Sequence, residues 1–374
     1  MFLLKKIKVM FFIYQMGAGG AARTLLNIIN NLDRERFVPV LVTLDFDGSY
    51  ESELKDDVKL IKLNTQRLSR SVFRLARVIR QEKADLVFST IPRVNTIAIL
   101  AGMLSFSKAR NIVREADNLS GGLKTSLQLK AFGLAYKCAG QVVSLSEGVK
   151  ENLVKRYGLK SENIKVVYNP IDIKAINRKL ESGIPAEHKE IFDTDEKVIV
   201  TAGRLVKQKD QATLIRAFAK AREQVACRLV ILGEGELESS LKEQAVTAGA
   251  GESVHFIGFQ RNPYVYFREA DVFALSSLHE GFSHVIAEAL ACGTPVISTN
   301  CKSGPEEVLD FGKYGYLCNV GDADRMAEYM VKVLTLPQEE KEYLAEQGLE
   351  RAAFFDAGKM VAQYEKIMLE TCSK

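Results

Sequence analysis

Short apolar segments alternate with helical patterns along nearly the whole chain, and this alternation constrains the fold more than any other feature of the sequence. One series of apolar segments lies near residues 7–13, 38–44, 58–63, 85–90, 110–114, 141–145 and 164–168. A second series lies near 197–202, 228–232, 254–257, 271–275, 295–298 and 315–318. Strands that alternate with helices form parallel sheets covered by helices on both faces. The sequence therefore predicts an α/β protein built from two doubly wound, Rossmann-like domains.

A polar stretch that lacks either pattern separates the two series. It runs from Asn169 to Pro185, which is the best position for an interdomain linker. We therefore expect an N-terminal domain over residues 1–170 and a C-terminal domain over residues 186–356, facing each other across a cleft. The length of 374 residues allows each domain its own core. Ligands of doubly wound sheets bind beyond the carboxyl ends of the strands, so functional residues are expected there.

The segment 276–299 carries the most informative polar residues of the second series. Glu280 and Glu288 lie eight positions apart across the start of a predicted helix. The turn after the first carboxylate consists of Gly281, Phe282, Ser283 and His284. Backbone N–H groups and the positive end of the helix dipole suit a phosphate at this turn. Because carboxylates accept hydrogen bonds, the two Glu side chains can take hydroxyls of a sugar and of a ribose on either side of a diphosphate.

Two candidate ligand-binding cations follow the first strand of the second series. Gly203 allows close approach of a ligand to the backbone, Arg204 can bond an anion with its planar fork, and Lys209 supplies a point charge. Together they predict a diphosphate clamp that needs no metal. Two further loops follow neighbouring strands and carry Gly233, Gly235 and Phe259. The ring of Phe259 is predicted either to flank a nucleotide base or to fill the core.

Four motifs of the second series resemble the nucleotide-binding domain of the retaining glycosyltransferases of family 4, which have the GT-B fold. They are GRL followed by Lys209, LGEG, HFIGF, and E-GF-x5-E-A-L-A-x-G-x-P-V-I starting at Glu280. The resemblance implies that Glu280 contacts the hydroxyls of the donor sugar and Glu288 the ribose. It also implies that Arg204 and Lys209 hold the diphosphate and stabilise the leaving group, and that residues 357–374 form a helix crossing back to the first domain.

The loop after the first strand is the candidate acceptor and phosphate loop of the first domain. Its residues Gly17, Gly19, Gly20 and Arg23 resemble the family's GG-A-x-R loop, which lies beside the donor phosphate and the acceptor. The same loop fits G-x-G-x-x-G/A, with Asp45 at the end of the second strand, as an NAD or flavin oxidoreductase would require. That alternative leaves the cations and carboxylates of the second domain unexplained.

One segment of the first domain departs from the family pattern. Many members have a His after the fifth strand, close to the reacting carbon, whereas this chain has Glu115, Asp117 and Asn118 there. Either Asp117 or Asn118 takes the place of that His, or Glu115 contacts an acceptor hydroxyl; the sequence leaves this choice open.

Charge is divided unequally between the two halves of the chain. Residues 1–170 contain 27 Lys and Arg against 15 Asp and Glu, while the remainder contains 24 against 32. The basic half has arginines at helical spacing, namely Arg67, Arg70, Arg74, Arg77 and Arg80. They predict either a basic amphipathic helix on an anionic membrane surface or an ordinary surface helix. Nucleic acid is a less suitable partner, because no aromatic residues are interleaved with the arginines.

Metal and membrane-spanning signals are weak in this sequence. The six Cys are scattered without ligand spacing, and neither D-x-D segment, 45–47 or 322–324, is near the predicted clamp. No apolar run approaches the ~20 residues that span a bilayer. We therefore expect a cytoplasmic, metal-independent protein, peripheral at the inner face of the cell membrane.

The predicted activity is a retaining transfer of a hexose or N-acetylhexosamine from a UDP-sugar to a glycan acceptor. The basic first half suits a polyprenyl-diphosphate-linked acceptor of surface polysaccharide or glycoconjugate biosynthesis. Two alternatives remain open: a soluble transferase of the sucrose or glycogen synthase type, and a sugar-nucleotide-binding protein without activity.

Overall fold

The computed structural model describes residues 5–17, 19–116, 118 and 122–373, and the chain divides into two compact units. The first unit contains Met1–Pro170 together with Ala357–Lys374, and the second contains Ile171–Asp356. Each unit has one parallel sheet with helices on its faces.

The first unit is a seven-stranded parallel sheet in the order β3-β2-β1-β4-β5-β6-β7. Its strands are β1 (Ile7–Phe12), β2 (Phe37–Thr43), β3 (Lys59–Lys62), β4 (Leu86–Thr90), β5 (Arg110–Glu115), β6 (Gln141–Ser144) and β7 (Ile164–Val166). Its helices are α1 (Gly20–Asn31), α2 (Ser71–Glu82), α3 (Pro92–Leu104), α4 (Leu123–Tyr136), α5 (Glu147–Asn152) and, at the end of the chain, α15 (Ala357–Ser373).

Alternate residues of β1 point into two different cores of this unit. Val9 and Phe11 pack in the core that α1 and α15 cover. Met10 and Phe12 pack in the core that α2 and α3 cover. Helix α3 also packs against α4, so α2, α3 and α4 form one helix layer. Residues buried on both faces explain why β1 is apolar throughout from Val9 to Phe12.

The second unit is a six-stranded parallel sheet in the order β10-β9-β8-β11-β12-β13. Its strands are β8 (Lys197–Ala202), β9 (Cys227–Leu232), β10 (Val254–Phe256), β11 (Val272–Leu275), β12 (Val296–Thr299) and β13 (Tyr316–Cys318). Its helices are α6 (Ile173–Leu180), α7 (Lys189–Phe192), α8 (Gln211–Arg222), α9 (Glu238–Thr247), α10 (Tyr264–Glu269), α11 (His284–Ala291), α12 (Pro305–Val308), α13 (Ala323–Leu334) and α14 (Gln338–Phe354).

The order of this second sheet reverses between β8 and β11. From β8 the chain proceeds to β9 and β10 on one side, and from β11 it proceeds to β12 and β13 on the other. Such a switch point separates the loops that follow the two central strands and creates the position where doubly wound sheets bind ligands. A ligand of this unit is therefore expected at the loops after β8 and β11.

The predicted strands are confirmed, and the predicted linker is wrong in its extent. Every predicted strand is present within two residues of the expected bounds. However, residues 173–180 form helix α6 instead of a linker, and the second unit begins at Ile171 instead of residue 186. Ile176 of α6 is buried, and α6 packs against α10 and α11. The polar residues around this apolar stripe concealed the helix in the sequence.

Candidate active site

Two side chains from the loops after β8 and β11 meet at the switch point of the second sheet. The Lys209 ammonium donates to Glu280 Oε1 at 2.5 Å, and the side chains are only 15% and 10% exposed. The Ser277 hydroxyl donates to the same carboxylate oxygen at 2.7 Å. Seventy-one residues of sequence separate the ion-paired side chains. The fold therefore brings together a cation and a carboxylate that the sequence had assigned to the same ligand.

Hydrogen bonds between the two loops fix the position of this pair. The Ser276 hydroxyl donates to the carbonyl of Lys209 at 2.9 Å. The Gln208 backbone carbonyl accepts from the N–H of Leu278 at 2.8 Å, and the Gln208 side-chain amide donates to the carbonyl of His279 at 2.9 Å. These residues were not predicted from the sequence, because Ser and Gln in a loop carry no distinctive signal.

Arg204 remains available to an anion. Its side chain is exposed, and it forms no ion pair or side-chain hydrogen bond with any residue that the structure describes. Its backbone carbonyl accepts from the Gln211 side chain at 3.0 Å, which ties the loop to the start of α8. The loop after β8 thus carries Arg204, which pairs with no described residue, together with Lys209, which is paired with Glu280.

The predicted glycines of the β9 loop have a packing role in the structure. Gly233 has a φ of 136°, and a Cβ atom there would lie 2.0 Å from the carbonyl oxygen of Gly203. A Cβ on Gly235 would lie 2.3 Å from the carbonyl oxygen of Leu205. Both positions need glycine because the β8 and β9 loops touch through their backbones. After β10, the Phe259 ring is 39% exposed, so it is not part of the core.

The start of α11 combines a strained residue with an unsatisfied hydroxyl. Ser283 precedes the helix with a φ of 68°, in the left-handed region that non-glycine residues rarely adopt. Its hydroxyl is buried and has no hydrogen-bond partner among the described residues. Backbone strain of this kind concentrates at functional sites, and the first N–H groups of a helix suit an anion. Gly281, partly buried, precedes this turn, and His284 is the first residue of the helix.

Phe282 and Glu288 are both held inside the second unit. The Phe282 ring is buried and packs edge-on against the Phe355 ring, with 5.1 Å between the ring centres, which favours a core role for the ring. The contact of Phe282 with a donor stays a prediction. Glu288 Oε1 accepts from the Tyr264 hydroxyl at 3.2 Å on the buried side of α11. Burial, strengthened by the Glu288 charge, raises the pKa of the nearby Cys292 thiol to about 12.

The loop after β12 also belongs to the site, although it was not predicted from the sequence. The Ser303 hydroxyl donates to the backbone carbonyl of Glu280 at 2.9 Å. Gly304 has a φ of 85°, and a Cβ there would lie 3.2 Å from Glu280 Cβ. Burial, with the charge of Glu280 as the next cause, raises the pKa of the Cys301 thiol to about 12. A glycine followed by proline shortly after a strand was the available signal.

Among the candidate residues of the first unit, Arg23 is buried. Its guanidinium lies 3.7 Å from Glu53 and 4.3 Å above the centre of the Tyr50 ring. These contacts favour a structural role over a ligand contact. Gly19 precedes α1, Gly20 begins it, and both are exposed, while Gly17 is partly buried.

Glu115 at the end of β5 lies in a buried tyrosine network. Its carboxylate accepts from the Tyr136 hydroxyl at 2.8 Å and the Tyr157 hydroxyl at 3.3 Å. Burial, reinforced by the Glu115 charge, holds the pKa of Tyr136 well above its usual range. The carboxylate is fully buried, so this geometry favours a structural role over the expected contact with an acceptor. Asn118 is also buried, and Asp117 lies outside the described residues.

The predicted basic helix is present as α2, although it begins later than expected. Leu75, Ala76 and Ile79 face the core. The five arginines are all exposed; Arg67 and Arg70 precede the helix, and Arg74, Arg77 and Arg80 lie on it. Arg74 donates to the backbone carbonyl of Asn64. No ion pair of these arginines occurs with a described residue.

The part of the chain that the structure describes contains neither a metal cluster nor a membrane-spanning helix. No three His, Cys, Asp or Glu side chains within it are grouped so that they could hold a metal ion. Within the same ranges, no helix has the length and apolar character needed to cross a membrane.

Comparison with protein families identifies the class of this two-unit fold. Residues 185–351 match the model of glycosyl transferases group 1, and residues 18–175 match that of Glycosyltransferase Family 4. The chain therefore belongs to this family of glycosyltransferases, it has the GT-B fold, and it is an enzyme of the transferase class. This finding also removes the oxidoreductase alternative.

Two named relatives and one solved structure match most of this chain. N-acetylgalactosamine-N,N'-diacetylbacillosaminyl-diphospho-undecaprenol 4-alpha-N-acetylgalactosaminyltransferase of Campylobacter jejuni is 28% identical, over 97% of this chain and 99% of the relative. Lipopolysaccharide core biosynthesis glycosyltransferase LpsE of Rhizobium meliloti is 28% identical, over 84% and 86%. The structure of Anabaena Alr3699/HepE in complex with UDP-glucose superposes with a TM-score of 0.82 at 21% identity, over 98% and 99% of the chains.

Proposed function

We propose that the protein is a retaining glycosyltransferase that moves a hexose or N-acetylhexosamine from a UDP-sugar to a hydroxyl of a lipid-linked glycan. The observation that carries the proposal is the Lys209–Glu280 pair, at 2.5 Å, at a sheet switch point. Arg204, which pairs with no described residue, lies on the same loop as Lys209. A diphosphate needs cations and a sugar needs hydrogen-bond acceptors, and this position offers both.

Stabilisation of the leaving group supplies most of the proposed catalysis. Arg204, Lys209 and the N-terminus of α11 take up negative charge as the bond between sugar and phosphate breaks. Lys209 and Ser277 both donate to Oε1 of Glu280, and no described residue bonds Oε2, so Oε2 is available to position a sugar hydroxyl. Glu288 is assigned to the ribose and Phe259 to the base. With two cations at the diphosphate, no metal ion is required.

The proposed acceptor is a glycan linked to a polyprenyl diphosphate, and the proposed location is the inner face of the cell membrane. The name of the Campylobacter jejuni relative describes a diphospho-undecaprenol-linked acceptor. The exposed arginines of and before α2 give the first unit cations for a diphosphate or an anionic membrane. The loop from Gly17 to Gly20 is the proposed acceptor loop of this unit.

Calorimetric titration with UDP, GDP, ADP and NAD, without added metal, tests the donor site. We expect selective binding of UDP, and we expect Arg204→Gln to weaken it by about tenfold through loss of a charge-assisted contact. Arg216→Gln, which removes an exposed guanidinium from α8, is the matched control and should bind UDP like the wild type. Equal affinity for the four nucleotides, or an unaffected Arg204→Gln variant, would contradict the proposed clamp.

Turnover assays then separate the proposal from its alternatives. UDP-hexoses and UDP-N-acetylhexosamines are offered with a polyprenyl-diphosphate glycan, and NMR of the product reports whether the anomeric configuration is retained. Transfer to soluble sugars alone would favour a synthase of the sucrose or glycogen type. Binding of UDP without turnover of any donor would favour a sugar-nucleotide-binding protein.

A further inference from the structure

An exposed apolar stripe lies on the outer side of the helix layer of the first unit. It consists of Leu100, Met103, Leu104 and Phe106. The first three are spaced three and four residues apart, so they share one face of α3. Met103 is 61% exposed and Phe106, just after the helix, is 86% exposed. Clusters of exposed apolar side chains commonly mark surfaces that bind a partner.

Phe106 combines this exposure with an unusual backbone conformation. Its φ of 49° places it in the left-handed region directly after a helix, a position that glycine or asparagine normally occupies. A phenylalanine there adopts a disfavoured backbone conformation and also leaves most of its ring in water. Packing within the unit does not account for it, because the ring is almost entirely exposed.

Exposed Arg and Lys residues lie near the stripe, both along the chain and on the neighbouring helix. The segments that carry them contain no acidic residue. No Asp or Glu occurs from Val58 to Gln81 or from Leu86 to Arg114. Arg77 and Arg80 of α2, Arg93 at the start of α3, and Lys108 after Phe106 are exposed and have no ion pair with a described residue. Helix α2 packs directly against α3, so the cations and the stripe belong to neighbouring helices of one layer.

Helix α4, which also packs against α3, likewise carries exposed apolar and basic side chains. Leu127 and Leu134 are exposed, and Lys124, Lys130 and Lys137 are exposed on the same helix or at its end. Apolar side chains therefore occur on α3 and α4, and cations occur on all three helices. The surface is spread over the outer side of a layer of three helices.

We propose that this surface inserts its apolar stripe into the interfacial region of an anionic bilayer, with the surrounding Arg and Lys among the lipid headgroups. A bilayer matches both components, since it offers negative charge at the surface and hydrocarbon below it. Two weak signals together give stable attachment where either alone gives a reversible one. The inference rests on the proposed function only in the purpose of the attachment, which is to hold the enzyme where a lipid-linked acceptor lies.

Fluorescence can test the insertion directly, because the chain contains no Trp. Phe106→Trp introduces one fluorophore at the proposed point of entry. Phe311→Trp is the matched control, since Phe311 is also exposed, at 73%, and also has a positive φ of 56°, but its neighbours include Glu306, Glu307 and Asp310. With vesicles of phosphatidylglycerol and phosphatidylethanolamine, the emission of the Phe106→Trp variant should shift to the blue and be quenched by brominated lipid. The emission of the Phe311→Trp variant should not change.

Vesicle binding at high salt distinguishes insertion of the apolar stripe from electrostatic attraction by the arginines alone. At about 1 M NaCl the Debye length is about 3 Å, so purely electrostatic binding is lost. We expect the wild type to remain partly bound at this salt concentration, and the triple variant Leu100→Gln, Met103→Gln, Phe106→Gln to bind at least about tenfold more weakly. Val246→Gln, at an exposed apolar position of α9, should leave binding unchanged.

Three outcomes would overturn the inference. They are an unshifted emission of the Phe106→Trp variant, complete release of the wild type by salt, and a concentration-dependent shift without vesicles, which would indicate a second copy of the chain as the partner. UDP titration of the same variants keeps the two proposals distinct. A wild type that binds UDP but does not bind vesicles rejects only the membrane surface, whereas insertion of the Phe106→Trp variant without UDP binding rejects only the donor site.

Discussion

At the scale of single residues, the ammonium of Lys209 is already paired with a carboxylate. Glu280 holds it at 2.5 Å in a position where both side chains are largely shielded from water. Shielding strengthens the attraction, so an incoming diphosphate must compete with Glu280 for Lys209. Arg204 has no such competitor among the described residues. The two cations of the proposed clamp are therefore not equivalent.

This competition predicts opposite effects of Glu280→Gln on sugar transfer and on UDP binding. The amide keeps a hydrogen bond with Ser277 but removes the negative charge, which frees Lys209 for UDP. We expect UDP affinity to rise by about three- to tenfold, as one additional charge-assisted hydrogen bond to the diphosphate would produce. Transfer should fall by more than about a hundredfold, because the sugar loses its positioning carboxylate. Calorimetry with UDP and turnover of the UDP-sugar measure the two effects.

Glu252→Gln supplies the control for this experiment. Glu252 is exposed in the same unit and carries the same charge, so its replacement tests whether net charge alone strengthens UDP binding. Weaker or unchanged UDP binding by Glu280→Gln would show that Glu280 does not compete for Lys209.

The chemistry of the proposed donor site was more predictable from the sequence than its contacts were. Cations and carboxylates follow strand ends, which the pattern of apolar runs reveals, and their types limit the ligands they suit. Whether Phe282 points into the core or towards a ligand depends on the packing of Phe355, more than seventy residues away in sequence. Such long-range contacts also decided the burial of Arg23 and Glu115, and no local pattern encodes them.

At the scale of helices and strands, α6 shows how a helix can escape prediction although its signals are in the sequence. Asp172 accepts from the backbone N–H of Ala175 at 2.9 Å and so caps the helix. Ile173, Ile176 and Leu180 follow at helical spacing. Lysine and arginine residues between these apolar positions gave the stretch a polar character. The strands were predictable because buried parallel strands are apolar throughout.

Removal of this cap should loosen α6 locally. Asp172→Ala eliminates the side-chain acceptor, and loss of such a cap costs about 1 kcal/mol, which corresponds to about fivefold faster amide exchange. Hydrogen-exchange mass spectrometry of peptides covering 173–180 measures the effect. Asp172→Asn keeps an acceptor at the same position and should retain wild-type protection. If the Ala and Asn variants exchange equally fast, the cap does not stabilise α6.

At the scale of the whole molecule, the chain leaves the first unit at Pro170 and returns to it at Ala357. The last helix, α15, is part of the core of the first unit, where Met360, Val361 and Tyr364 are buried. This return was predictable only from family resemblance, because the composition of a terminal helix does not identify the sheet it will cover. A polar contact joins α15 to β5: the buried Arg114 guanidinium donates to the Tyr364 hydroxyl at 3.1 Å.

That contact is important because the buried, charged guanidinium of Arg114 donates its hydrogen bonds to neutral oxygens. Thr90 accepts from it at 3.0 Å, and Asn169 accepts from it at the end of the unit. Tyr364→Phe keeps the ring but leaves the Arg114 Nε–H without its acceptor. An unsatisfied buried donor costs about 1–3 kcal/mol.

We therefore expect Tyr364→Phe to lower the free energy of unfolding of the first unit by about 1–3 kcal/mol, since a buried cation gains no water in compensation. Amide exchange of β5 and α15 peptides at increasing urea concentration reports this unit separately from the second. Tyr343→Phe, which removes a hydroxyl from an exposed position of α14, is the control and should leave both units unchanged. Equal stability of the two variants would mean that apolar packing alone holds α15 in place. A selective loss in the first unit would show that the Arg114–Tyr364 contact stabilises the return of the chain.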